Sequence, residues 1–153
     1  MNAAFDEDKF SRTLAREAPE AIIYADASGR VRFWNHGAER IFGFRATEAI
    51  GQTLDIIIPE DLRNRHWEGF MRAMKTGKIR YGSGDVLEVP AMRKDGVRVS
   101  VEFSMLLFHD RSGNVVGVGA VLRDVTERFE EMKRLRERLQ ELGVGSSMRH
   151  SWH

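Results

Sequence analysis

The stretch RNRHWEGFMRAMKTGK, residues 64–79, carries the one histidine of the chain that sits in a strongly amphipathic segment. On a helix from Glu60 to Thr76, His66, Phe70 and Ala73 or Met74 recur at i, i+4 and i+7 or i+8, on one face. Arg63, Arg65, Glu68, Arg72 and Lys75 fall mostly elsewhere. His66 therefore stands at one end of an apolar stripe able to face a sheet. A neutral imidazole in a dry pocket is what an iron ligand requires. The competing assignment is a polar residue on a helix edge that contributes only packing or a hydrogen bond. The remaining histidines are poorer candidates. His36 follows Asn35, His109 sits at a turn, and His150 and His153 lie in the tail. None of them pairs with a second ligand at metal spacing.

Composition narrows the chemistry further. The chain has no cysteine, which removes disulfides, thiolate metal sites, thiol nucleophiles and cysteinyl-flavin photochemistry. Its 153 residues suffice for one domain with a real core and little else. A net charge of +1 supplies no global field to draw nucleic acid or an acidic membrane surface. The segment MNAAFDEDKF is acidic and lacks the apolar core of a signal peptide. No apolar run approaches the roughly 18 residues of a membrane span. A cytoplasmic protein that contacts neither nucleic acid nor membrane is expected. No G-x-S-x-G, P-loop or zinc spacing occurs, and Glu20, Glu39, Glu48 and Glu102 are scattered, so no enzyme activity is expected.

The elements that must position His66 can be read from periodicity and turn residues. Residues 1–18 form an amphipathic helix with Phe5, Phe10 and Leu14 as its apolar points. AIIYADASGRVRFWN, residues 21–35, is a hairpin around Asp26 to Gly29. Asn35 caps a short helix through Ala38, Ile41 and Phe42, and Thr47 to Ile50 is one further helical turn. Leu54 to Ile58 is apolar and stops at Pro59. The helix from Glu60 is closed by Gly77. Three strands follow, Asp85–Arg93, Val97–His109 and Val115–Arg123, separated by Lys94-Asp95-Gly96 and Asp110-Arg111-Ser112-Gly113. Val125, Phe129, Met132, Leu135, Leu139 and Leu142 then make a stripe close to a coiled-coil seam. The expected organisation is a terminal helix (1–18), a central domain (19–126), an amphipathic helix (127–142) and a flexible tail (143–153). The fold class is α+β, a five-stranded antiparallel sheet with short helices on one face.

From about residue 12 to 128 the chain resembles a PAS domain. The carriers are GRVRFWNHGAERIFGF, the EAIGQ turn, IIPEDLRNRH, RKDGVRVSVEF and the closing GAVLRDVTER, several separate motifs in order. The resemblance implies a cytosolic sensor or interaction module, often dimeric, that signals through its C-terminal helix. The residues agree with it: Gly96 serves a tight turn, and Asp124 or Thr126 can cap the first amides of the exit helix.

Such domains hold haem, flavin, small acids or nothing. The haem-binding PAS domains of oxygen-sensor kinases and phosphodiesterases look similar around PEDLRNRH, where their proximal histidine falls on His66. In the kinase type an arginine six residues further on approaches a haem propionate, which implies Arg72. A second polar propionate contact of that type falls on Arg80, and a guanidinium suits a carboxylate. Leu87 stands where the kinases carry an oxygen-bonding distal arginine, and the methionine ligand of the phosphodiesterase type falls near Asp85. Neither side chain can do that work. Phe103 and Met105 match distal apolar positions, on one strand face with Val99 and Val101. Met105 offers a thioether that haem iron accepts, or simply fills the core.

Three occupancies follow. The first is b-type haem on His66, with Phe70, Arg72, Arg80, Leu87, Phe103 and Met105 around it, sensing a diatomic gas or redox state. The second is a cofactor-free module that assembles partners. The third is a pocket for flavin, FAD or FMN, or another small ligand, with Trp34 as a ring platform or as core. A homodimer through the terminal helices is expected in either sensor or module, with output from an effector protein or a further domain.

Overall fold

The computed structural model describes residues 4–79 and 87–143. The expectations placed on Arg80, on Asp85 and on the tail from residue 144 lie outside the described residues. Helix α1 spans Glu7–Glu17 and starts at Asp6, whose side chain accepts from Lys9 N at 3.0 Å. It is shorter than the reading of 1–18, because that cap sets its start. Strands β1 (Ala21–Asp26) and β2 (Val31–Trp34) form the hairpin. Gly29 takes a φ of 82° in its turn, as left-handed backbone requires. Helices α2 (His36–Phe42) and α3 (Ala46–Ala49) follow.

The stretch before Pro59 is a 3-10 turn, Leu54–Ile57, and a second one covers Glu60–Leu62. Helix α4 therefore runs Arg63–Thr76 and starts later than its apolar periodicity suggested. Leu62, at the N-cap position, has no side chain able to take the first amides, so the entry tightens into 3-10 geometry. Gly77 closes α4 with a φ of 70°. Strands β3 (Leu87–Met92), β4 (Arg98–His109) and β5 (Val115–Asp124) lead to α5, Thr126–Glu141.

The sheet has five strands in the order β2-β1-β5-β4-β3, every neighbour antiparallel. The first and last strands of the domain thus lie side by side. One face carries Ala21, Ile23, Trp34, Val99, Val101 and Leu122, packed with Ala38, Ile41, Phe42, Ala49 and Ile57 from the helices and turns. Burying such side chains contributes roughly 1.5–3 kcal/mol each for the larger ones.

Asn35 holds the helical layer to this sheet. It is 2% exposed, and its Oδ1 accepts from Ile22 N at 2.8 Å and from Ala38 N at 2.9 Å. Its Nδ2 donates to the carbonyls of Ala15, Ala18 and Glu20 at 2.9, 3.3 and 3.0 Å. A helix cap in the sequence is therefore also a tie between α1, β1 and α2.

The exit is tied in a similar way. Asp124 Oδ1 accepts from Thr126 N at 2.9 Å and from Thr126 Oγ1 at 2.5 Å. Asp124 thereby satisfies the first helical amide, while Thr126 Oγ1 accepts from Ser100 N of β4 at 3.0 Å. The two candidates for one cap divide the work. Arg128, in the first turn of α5, pairs with Glu88 of β3 at 3.1 Å and with Glu102 of β4. Those two carboxylates stand directly opposite each other, an arrangement that repels unless a cation intervenes.

Candidate functional site

Helix α4 is anchored at its entry by its own first residue. Arg63 Nε donates to Ile58 O at 3.1 Å and its Nη2 to Asp55 O at 3.3 Å. One turn later stands His66, half-buried. Its ring lies edge-on to Trp67, centroids 4.8 Å apart at 76°, and tilted to Phe70 at 6.0 Å. Trp67 and Phe70 close the cluster at 5.2 Å. Phe70 and Ala73 are buried, as the i, i+4, i+7 stripe requires. Met71 points outward, 62% exposed.

The Nδ1 atom of His66 is buried and has no hydrogen-bond partner among the described residues. Leaving a polar group in that condition costs about 1–3 kcal/mol. Burial pushes the imidazole below its ordinary range, and the Asp55 charge opposes that shift. The ring is therefore neutral at neutral pH, with a lone pair available. Arg72 is exposed and forms no ion pair among the described residues, so its guanidinium is free for an anionic group.

The sheet-side residues come together by register. Leu87 pairs with Phe103, Phe103 with Leu122, and Leu122 with Ala21. In the next row Met105 pairs with Ala120, Ala120 with Ile23, and Ile23 with Trp34. Directly opposed residues share a face, so Leu87, Phe103 and Met105 stand on the same side as the core residues Ala21 and Ile23. Val99 and Val101 are closely buried there, whereas Phe103, Met105, Leu107, Val118 and Ala120 are only half-buried. This face is tightly packed at one end and looser at the other. Helix α4 packs against β5. No ring contact or hydrogen bond joins His66 to Leu87, Phe103 or Met105 among the described residues.

This donor set fits haem: one neutral, poorly solvated imidazole with an orphaned nitrogen, an apolar sheet face and a free arginine. Trp34 lies in the core, 4% exposed. Its Nε1 donates to Phe44 O at 2.9 Å, and it packs against Phe42 and Phe44. His36 is exposed and meets Glu17 at 2.9 Å. The residues that the sequence reading missed are Asp55 and Trp67. Trp67 Nε1 donates to Asp55 Oδ1 at 2.7 Å. Only the adjacency of Trp67 to His66 hinted at it.

A family model described as PAS fold matches residues 15–130. The chain belongs to the PAS family. Among curated proteins, this PAS chain is 30% identical over 131 residues to the sensor protein FixL of Bradyrhizobium diazoefficiens, covering 86% of this chain and 25% of that protein. It is 31% identical over 83 residues to the oxygen sensor protein DosP of Escherichia coli, covering 54% of this chain and 10% of that protein. The chain thus spans a quarter or less of these relatives. Among solved structures, the PAS domain of a Colwellia psychrerythraea protein superposes with a TM-score of 0.69 at 21% identity, over 80% of this chain and 99% of that one. An RNA-binding Light-Oxygen-Voltage receptor superposes at 0.70 and 22% identity, over 92% of this chain and 41% of that one. These two likenesses establish the fold.

Proposed function

We propose that this PAS domain is a sensor module that binds b-type haem through His66 and responds to a diatomic gas or to iron redox state. The observation that carries the reading is the half-buried, neutral His66 with its unpartnered Nδ1, at the end of the apolar stripe of α4. The oxygen-sensor name of one relative supports the same direction. When bound, haem supplies an iron that takes a gas ligand or changes oxidation state. Phe70 packs beside the imidazole. Arg72 and Arg80 would hold the propionates, a guanidinium suiting a carboxylate. Leu87, Phe103 and Met105 would give the group an apolar sheet face to lie against. Leu87 has no hydrogen-bond donor, so the site selects by size and apolarity. Met105 is assigned to packing, the usual role of a thioether in a core.

Output passes through α5. Asp124, Thr126 and Arg128 couple its first turn to β3, β4 and the end of β5, so a shift in the sheet moves the helix. The recipient is an effector protein or a further domain, in a cytoplasmic assembly without nucleic acid or membrane. No helix among the described residues is long and apolar enough to cross a membrane. The unit is a homodimer through α1 and α5, neither of which has a fully buried residue.

The deciding experiment is a visible spectrum of protein expressed with haem supplied, beside His66→Ala. A Soret band that collapses or shifts strongly in the variant is expected. A band indifferent to the substitution, or no band at all, overturns the assignment. The second reading is a cofactor-free interaction module, favoured by the exposed stripes of α1 and α5. Colourless protein selects it, whereas a yellow pigment selects flavin.

A further inference from the structure

Two side chains brace the histidine from outside the ligand set. Trp67 follows His66 in α4, and its indole is fixed at two points. Its Nε1 donates to Asp55 Oδ1 at 2.7 Å. Its six-membered ring lies on Gly29, so close that a Cβ there would stand 2.3 Å from two ring carbons. Gly29 also has a φ of 82°, which few other residues adopt. The hairpin turn thus leaves a flat seat that the indole fills. The same indole meets the His66 ring edge-on at 4.8 Å. Asp55 is held in turn, because Arg63 Nη2 donates to its carbonyl at 3.3 Å.

This arrangement has the parts of an outer ligand shell. An imidazole that gives one nitrogen to iron keeps its proton on the other, and a neighbouring carboxylate makes the ring a stronger donor. The Asp55 carboxylate spends Oδ1 on the indole and retains further lone pairs. Its charge acts on His66, while Nδ1 of that ring remains buried and unpartnered.

We infer that Asp55, clamped by Trp67 on the Gly29 seat, is a positioning residue that sets the orientation of His66 and its donor strength toward iron. The inference rests on the haem reading above. It makes the proximal side tunable by one carboxylate acting through the indole it holds and through its charge. The geometric hold of Asp55 on His66 runs through the indole, which is hydrogen-bonded to Asp55 and edge-on to the imidazole.

Asp55→Asn and Trp67→Phe separate the two roles in the full chain loaded with haem. Asparagine still accepts from the indole but removes the charge. The iron potential should then become more positive, the iron–histidine stretch should fall, and haem retention should drop about 10–100-fold. Phenylalanine keeps a ring over Gly29 but removes the N–H, leaving the Asp55 charge without its indole donor. The potential should then become more negative. Redox titration and resonance Raman spectra read both effects, with circular dichroism confirming the fold. Each variant tests its own sign, so either one that folds decides. Unchanged values, or shifts of one sign in both variants, with a Soret band still dependent on His66, overturn the inference and leave haem ligation standing. A wild-type protein without a His66-dependent band overturns both.

Discussion

At the scale of single residues, His66 is expensive to bury and cheap to deprotonate. Burial lowers its proton affinity in the folded chain, against a partial counter-effect from Asp55. The unfolded chain therefore binds the proton more tightly than the folded one. Where the unfolded state carries more protons, stability rises with pH. For the haem-free protein the penalty is absent above the ordinary histidine range, near 6.5, and grows as the pH falls through it. Thermal midpoints at pH 7.5 and 5.5 should fall further for the wild type than for His66→Asn. Equal falls in both would mean that the imidazole is not desolvated. The same neutrality keeps the lone pair available at physiological pH, the condition for metal ligation.

At the scale of elements, two polar ties hold helices to the sheet. Asn35 binds backbone groups from Ala15 to Ala38 through one amide. Asn35→Leu should cost about 3 kcal/mol or more in urea unfolding, because several buried backbone groups lose their only described side-chain partner. A loss below about 1 kcal/mol would mean that α1 is not held through this residue. At the other end, Ser100, Asp124 and Thr126 join β4, β5 and α5 within one hydrogen-bonded loop. Exposed ion pairs contribute little to stability. The value of Arg128 lies in orientation, since it spans the facing Glu88 and Glu102 from the first turn of α5.

At the scale of the whole molecule, α1 and α5, the first and last helices among the described residues, present apolar side chains to solvent. Phe10 and Leu14 of α1 are 52% and 55% exposed, and Met132 and Leu135 of α5 are 46% and 50% exposed. Such stripes mark surfaces that pair. Sedimentation at micromolar concentration should give the mass of two chains, and Met132→Glu with Leu135→Glu should return the mass of one. A single-chain mass for the wild type would remove the dimer.

Local features decided the element order. Gly29, Gly77, Gly96 and Gly113 mark left-handed turns, and each lies between segments of clear period. The hairpins, the α4 stripe, the long β4–β5 pair and the amphipathic exit helix were legible for that reason. So was His66, because its placement depends only on helical spacing. The start of α4 was not, since Pro59 and an uncapped Leu62 act on backbone hydrogen bonds rather than on periodicity. Tertiary structure alone put β1 beside β5 and aligned Leu87, Phe103 and Met105 with Ala21 and Ile23. Register between distant strands depends on which surfaces meet, and period-two alternation is the same in either neighbour. The Asp55–Trp67–Gly29 brace belongs to this second class. Its members are separated along the chain, and only packing α4 onto the hairpin turn brings the indole, the carboxylate and the missing Cβ together.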